Sequence, residues 1–313
     1  MKTNRWVEVL RSVHIPRKYL LINSRAHAHG EYFDPQHLRR VIRSLRLMMK
    51  AGVISGIVFA DAYYLQAISD AAGDEASELE AVPGVNFMLD TRDRILEILE
   101  FISGTRFRLP GTLVLDRSLN RRLDALAEVS ARCREALPDV KLELLANEGC
   151  LYHCPYKLTH DCHLALVNMG QPLDTRRINR ELGCMRTLQR NPSLLFKSPF
   201  IRPEDVDAYA PYVDVIKLCG RTLGATFLLR VVEAYLRGEY SGNLLDLMDA
   251  MDGTAEWLHV SNDRLPAGLL RQLTSCSKEC RTCPYCRSLI ETCAKPKAIR
   301  LERADSRGTP SGS

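Results

Sequence analysis

The sequence predicts an α/β fold, a TIM-like (β/α) barrel with a cysteine-rich C-terminal extension. Three observations carry this prediction. Short apolar runs alternate with longer amphipathic ones along most of the chain, the pattern of parallel strands covered by helices. The units recur roughly every 30 residues, about seven or eight times, which favours closure over an open sheet. The first apolar run is followed by NSRAHAHGEYF, without the glycine-rich dinucleotide fingerprint of a doubly wound sheet.

YLLIN from Tyr19 reads as the first strand. In PQHLRRVIRSLRLMMKAG, Leu38, Val41, Ile42, Leu45, Met48 and Met49 recur at helical spacing on one face, with basic residues opposite. VISGIVFA from Val53 is a strand and AYYLQAISDAAG a helix. VPGVNFML from Val82 is a third strand, followed by the helix DTRDRILEILEFISG, for which Asp90 suits the N-cap. TLVLD from Thr112, the helix SLNRRLDALAEVSARCREALP and the strand KLELLAN from Lys141 follow. Residues 148–192 break the pattern with a polar, irregular, cysteine-bearing insertion. SLLFKSPF from Ser193 and VDVIKLCG from Val213 resume as strands, with a short helix opened by Pro203 between them and the helix TLGATFLLRVVEAYLRGE after them. This divides the chain into a barrel over 1–255, a cysteine-rich metal- or cluster-binding extension over 256–300, and a disordered tail over 301–313.

With 313 residues, 46% apolar and 26% charged, the chain has the composition of a folded globular protein rather than a disordered one. No apolar run reaches the roughly 18 residues of a membrane span. The N-terminal MKTNRWVEVLRSVHIPRKY lacks a signal-peptide core, so a cytoplasmic location is expected. The net charge of +5 is spread along the chain. Two thiolate-held clusters of about −2 each would lower it to roughly +1. A nucleic-acid partner is therefore not favoured.

Eleven cysteines are the abnormal feature. In a reducing compartment they point to ligation rather than disulfides. Cys133, inside a helix, reads as a buried small hydrophobe. Cys150, Cys154, Cys162 and Cys184 fall in or beside the insertion, and Cys219 ends a later strand. Strand ends and the loops after them form the active face of a parallel barrel, so these thiols are candidates to converge on iron–sulfur or zinc. Cys276, Cys280, Cys283 and Cys286, with Cys293 beyond, contain two consecutive C-x-x-C steps, a strong ligand signal. Either Cys276 or Cys293 can complete that set, and a second 4Fe–4S cluster is preferred over zinc. The C-x-x-x-C-x-x-C spacing of radical S-adenosylmethionine enzymes is also present. It lies after the last helix rather than the first strand, which argues against that chemistry.

The stretches ELLANEGCLYHCPYKLTH and VDVIKLCGR resemble the collagenase-like "unknown-type" peptidase family. The matching residues are Asn147, Gly149, Cys150, Cys154 and Pro155, then Lys217, Leu218, Cys219, Gly220 and Arg221. The resemblance implies a TIM-like barrel carrying a 4Fe–4S cluster on four cysteines. Cys184 and Cys219 best supply the third and fourth ligands, with Cys162 the alternative. It also implies an activity, because the family includes oxygen-independent hydroxylases of ubiquinone precursors and of RNA, some drawing oxygen from prephenate. Two features depart from the family: Cys219 stands where Glu is usual, and the C-terminal cysteine set is not general. Together they suggest a second electron-carrying centre.

The expected function is accordingly an iron–sulfur hydroxylase or related redox enzyme acting on a small biosynthetic molecule. Its electron donor would be of ferredoxin or flavodoxin type. The alternatives are an RNA-hydroxylating enzyme and a non-catalytic electron-transfer or scaffold subunit paired with a related chain. Lys217 and Arg221, at the strand end with Cys219, suit a substrate carboxylate. His153 is a candidate for proton transfer and Glu148 for a general base; His160 and His163 lie in the same insertion. His27 and His29 form an H-x-H pair with no assigned carboxylate partner. Neither G-x-S-x-G nor H-E-x-x-H is present, so the sequence itself gives no support to a serine- or zinc-peptidase mechanism.

Overall fold

The computed structural model describes residues 3–297; the tail expected to be disordered at 301–313 lies outside them. After helix α1 (Thr3–Ser12), strands β1 (Tyr19–Ile22), β2 (Gly56–Phe59) and β3 (Glu80–Pro83) form one parallel sheet. Strands β4 (Thr112–Val114), β5 (Lys141–Leu145) and β6 (Val215–Lys217) form a second. β2 is buried throughout and β5 is buried beyond Lys141, as expected of parallel strands covered on both faces. Helices α2 (His29–Phe33), α3 (Pro35–Lys50), α4 (Ala62–Ala72), α5 (Arg92–Ser103) and α6 (Leu123–Ala136) connect the strands.

The closed barrel expected from the alternation does not form. The two parallel sheets are separate, and a lone parallel bridge from Glu80 to Arg108 marks the seam between them. The strands are short, and the chain is mostly helical. Pro110, just before β4, has no N–H to extend a ladder. At the same seam the Glu80 carboxylate accepts from the Tyr19 hydroxyl and the Gly111 N–H, so side-chain bonds stand where a continuous ladder was expected. SLLFKSPF is not a strand: Pro192–Lys197 is a 3-10 turn that buries Leu195 and Phe196. A short apolar run does not distinguish these two outcomes. Strand β7 (Leu258–Val260) pairs antiparallel with β8 (Ala294–Pro296) and joins neither parallel sheet.

Helix α3 follows its sequence pattern closely. Asp34 caps it by accepting from the Gln36 N–H, Pro35 opens it, and Leu38, Ile42, Leu45 and Met48 are buried. Helix α5 is capped by Thr91 rather than Asp90, which instead pairs with Arg94 at 3.0 Å. The short helix opened by Pro203 is a 3-10 turn over Pro203–Tyr209. The insertion is more regular than expected, folding into α7 (Lys157–Asn168), α8 (Thr175–Glu181) and α9 (Cys184–Arg190). The chain continues through α10 (Ala225–Arg237), α11 (Asp252–Ala255), α12 (Leu269–Ser275) and α13 (Tyr285–Cys293).

Two hydrophobic cores result. One gathers the parallel strands with α3 to α6, including Ile57, Leu65, Ile95, Leu113 and Leu144. The other joins α9, the Pro192–Lys197 turn and α10 to β7, α12 and α13 through Leu188, Phe196, Val231, Val260, Leu273 and Leu289. Leu218 and Tyr235 pack against both, so the end of β6 lies where the two cores meet.

Candidate functional site

The segments after β3, β4 and β5 surround a cavity of about 310 Å³. Met88 comes from the first segment, Asp116 and Arg117 from the second, and Cys150, Cys154 and Lys157 from the third. Asn147 sets the geometry beneath it. Fully buried, it accepts from the Cys219 N–H at 2.7 Å and donates to the Cys219 and Leu247 carbonyls at 2.9 and 3.2 Å. One amide thereby ties the end of β5 to the end of β6 and to the Leu247 segment. Gly149 lies so close to that segment that a Cβ would come within 2.8 Å of the Asp249 carbonyl and also strike the Met251 side chain. Gly220, at φ +116°, turns the chain directly after Cys219.

Three thiols share one electrostatic neighbourhood. Burial pushes the Cys150 thiol up to about 11; Arg117 and Lys157 oppose this, while Cys154 and Cys184 add to it. Burial and then Cys154 raise the Cys184 thiol. Cys219 is raised by burial and by the Asp249 carboxylate beside it, and Arg117 opposes the shift there too. Arg117 is therefore a cation within reach of both Cys150 and Cys219. It is buried and ion-paired with Glu148, whose Oε2 is buried with no hydrogen-bond partner.

A polar clamp holds the insertion against the first sheet. Arg25, after β1, donates to Asp161 at 3.0 Å and to the Asn86 carbonyl at 2.6 Å. Lys157 donates to Asn86 Oδ1 at 2.9 Å and pairs with Asp161. Asp161 is buried, so α7 is fixed by a paired charge rather than by an exposed ion pair.

The other expected site residues are dispersed. Glu148 is held by Arg117. Lys217 pairs with Glu143 across β5 and β6 at 2.9 Å, the structural role its position also allowed. Arg221 is exposed at the start of a 3-10 turn. His153 is exposed on the cavity rim at φ 46°. Cys162 is exposed on α7, whereas Cys184 is partly buried near Cys154. Cys133 is buried in the first core. At the C-terminus, Cys276, Cys280, Cys283 and Cys286 line a second cavity, while Cys293 is buried with its Sγ 3.1 Å from the Arg264 carbonyl. Among the described residues, no three His, Cys, Asp or Glu side chains are placed to hold one metal ion.

Two features escaped the sequence reading. Arg117 directly follows the strand TLVLD and belongs to no motif; its place after a strand end was the available signal. The carboxylate partner of His27 is Asp61, which also caps α4. Asp61 Oδ2 lies 3.0 Å from His27 Nδ1 and accepts from the Tyr32 hydroxyl at 2.6 Å, and the His27 ring stacks on Tyr64 at 3.7 Å. His29 is exposed and packs on Phe33 instead. The N-cap position of Asp61 was the available signal.

The fold and site define a mostly helical protein with two small, separate parallel sheets and a cavity beyond their strand ends lined by Cys150 and Cys154. No family model matches the chain. An uncharacterized protease of Methanocaldococcus jannaschii is 34% identical over 187 residues, covering 59% of this chain and 54% of that protein. The chain thus spans about half the length of the curated relative it matches. The solved U32 peptidase Mk0906 is 15% identical over 70% of this chain and 75% of its own, with a TM-score of 0.43. The likeness to a protein named a protease is in keeping with the peptidase-family resemblance of the Asn147–Pro155 and Lys217–Arg221 stretches.

Proposed function

We propose that the chain is an iron–sulfur enzyme of oxygen-independent hydroxylase type, acting on a small biosynthetic molecule. A 4Fe–4S cluster would be held at the strand-end cavity by Cys150, Cys154, Cys184 and Cys219. The observation that carries this reading is the mutual electrostatic reach of Cys150, Cys154 and Cys184, with Arg117 serving both Cys150 and Cys219. The donor set is soft, as such a cluster requires. Cys150 and Cys154 line the cavity, and Cys184 lies within electrostatic reach of Cys154. Held by four thiolates, the group would supply single-electron transfer.

The chain's own residues have separable tasks. Arg117 offsets thiolate charge. Asn147 fixes the backbone of Cys219. The Arg25–Asp161–Lys157 clamp positions the helix that follows Cys154. Arg221, exposed at the β6 end, is available to a substrate carboxylate, whereas Lys217 is already paired.

The test is electron paramagnetic resonance of reduced, anaerobically purified protein. In C280S/C283S, which lacks the C-terminal cysteine pair, a reduced-cluster signal is expected and is kept when Cys162→Ala is added, but lost when Cys184→Ala is added. A signal that survives the added Cys184→Ala would remove this ligand assignment. The name of the M. jannaschii relative favours a second reading, peptide hydrolysis. Among the described residues, no hydrogen bond joins a cysteine Sγ to a histidine ring, which gives that reading no preformed nucleophile–base pair. Cleavage of an unstructured peptide by the wild type, unaffected by iron removal, would favour it over the redox reading.

A further inference from the structure

The C-terminal cysteines form a cavity of their own. Cys276, Cys280, Cys283 and Cys286 all line a space of about 280 Å³ between the Asn191–Lys197 segment and the loop joining α12 to α13. Both ends of that loop are rooted in the second core, through Leu269 and Leu273 of α12 and Leu289 and Cys293 of α13. Within the loop, the Cys280 N–H donates to the Lys278 carbonyl at 2.8 Å, and the Cys283 N–H to the Glu279 carbonyl at 3.2 Å. The backbone is therefore turned so that four thiols from eleven consecutive residues reach one space.

We infer that Cys276, Cys280, Cys283 and Cys286 hold a second 4Fe–4S cluster, at a site separate from the strand-end cavity. Four features support this choice. First, all four thiols line one cavity of about 280 Å³. A zinc site instead draws four sulfurs to about 2.3 Å from one centre, whereas a cluster needs room between its ligands. Second, Lys197, Lys278, Arg281 and Arg287 line the same cavity, with Glu279 as the acidic residue among its lining. This balance suits a thiolate-held group of about −2 charge. Third, Cys280 and Cys283 are exposed and Cys276 and Cys286 only partly buried, which leaves the four thiols accessible for cluster assembly. Fourth, the alternative ligand Cys293 is buried against the Arg264 carbonyl and is absent from the cavity lining. The two cavities are neighbours: the Lys278 ammonium lies 5.8 Å from the centre of the Tyr152 ring, and Tyr152 lines the strand-end cavity.

This inference does not depend on the strand-end cluster, and one set of measurements separates the two. Iron, sulfide and zinc are measured in anaerobically purified full-length wild type, C280S/C283S and C150S/C184S. The expected values are about eight iron and eight sulfide per wild-type chain, and about four of each in either variant. Cys280 and Cys283 are exposed, so their replacement removes no packing, and an unchanged circular dichroism melt verifies the fold. Wild-type iron retained in C280S/C283S, or loss of one zinc per chain in place of iron, would overturn the inference. If C150S/C184S keeps all its iron while C280S/C283S loses its own, the C-terminal cluster stands and the strand-end assignment fails.

Discussion

Asn147 has both ends of its amide committed inside the protein, to the Cys219 N–H and to the Cys219 and Leu247 carbonyls. Removing a partner leaves a buried group unsatisfied at a cost of about 1–3 kcal/mol. Asn147→Ala should therefore lower unfolding stability by about 2–3 kcal/mol in urea titration. Arg117 is governed by a different balance, because its partner Glu148 is also nearly buried. Arg117→Leu strands that carboxylate and should cost about 3–5 kcal/mol, while R117L/E148L should recover most of the loss. A double variant as unstable as the single one would show that the ion pair is not what Arg117 contributes. Asp61 provides a test against pH. Burial pushes its carboxyl up, but hydrogen bonds from His27, Tyr32 and the Tyr64 N–H outweigh this and hold it below the usual value of 3.8. Its stabilising contribution is thus complete above the usual value and is lost as pH falls through the lower, folded one. Wild-type stability should fall more steeply than that of Asp61→Asn between about pH 4 and pH 2, measured by urea midpoints across that range.

Helix α7 carries the clamp, and its attachment is testable as a unit. Asp161→Ala leaves Arg25 and Lys157 facing one another without their shared carboxylate. Hydrogen exchange over residues 157–168 should speed up at least tenfold, with β2 and β5 unchanged, because local opening of a peripheral helix does not require global unfolding. Uniform acceleration across the protein would mean that the clamp holds the whole fold rather than one helix. The same element shows what the sequence could and could not reveal. Amphipathic spacing located α3 and its buried face, because a helix with one face in the core writes that face every three to four residues. Helix α7 has a weaker pattern, with Asp161 and Ala165 its buried positions. It is held by charges from distant segments, which no local period records, so it read as irregular. SLLFKSPF failed for the opposite reason: a short apolar run fits a buried turn as well as a strand.

Across the whole molecule, the order of the first six observed strands was legible and their closure was not. Alternating apolar runs located β1, β2, β4, β5 and β6, while the third run, VPGVNFML, overlaps β3 only at Val82 and Pro83 and continues as a 3-10 turn over Val85–Phe87; closure depends on whether neighbouring ladders meet, and here they stop at the Glu80–Arg108 bridge. Cysteine spacing marks the C-terminal group as one ligand candidate, with Cys276 and Cys293 as alternatives, since its members are close in sequence. The strand-end thiols come from the segments after β5, within the insertion and after β6, so no local spacing relates them. Arg117, which ties that group together electrostatically, gave no motif at all. The central claim is that these dispersed thiols hold a cluster, and native mass spectrometry of anaerobically purified C280S/C283S tests it most directly, because the other cysteine site is then removed. The account predicts one retained 4Fe–4S mass per chain, lost again when Cys150 and Cys184 are also replaced by serine. A bare polypeptide mass from C280S/C283S, beside a wild type that carries a cluster, would contradict it.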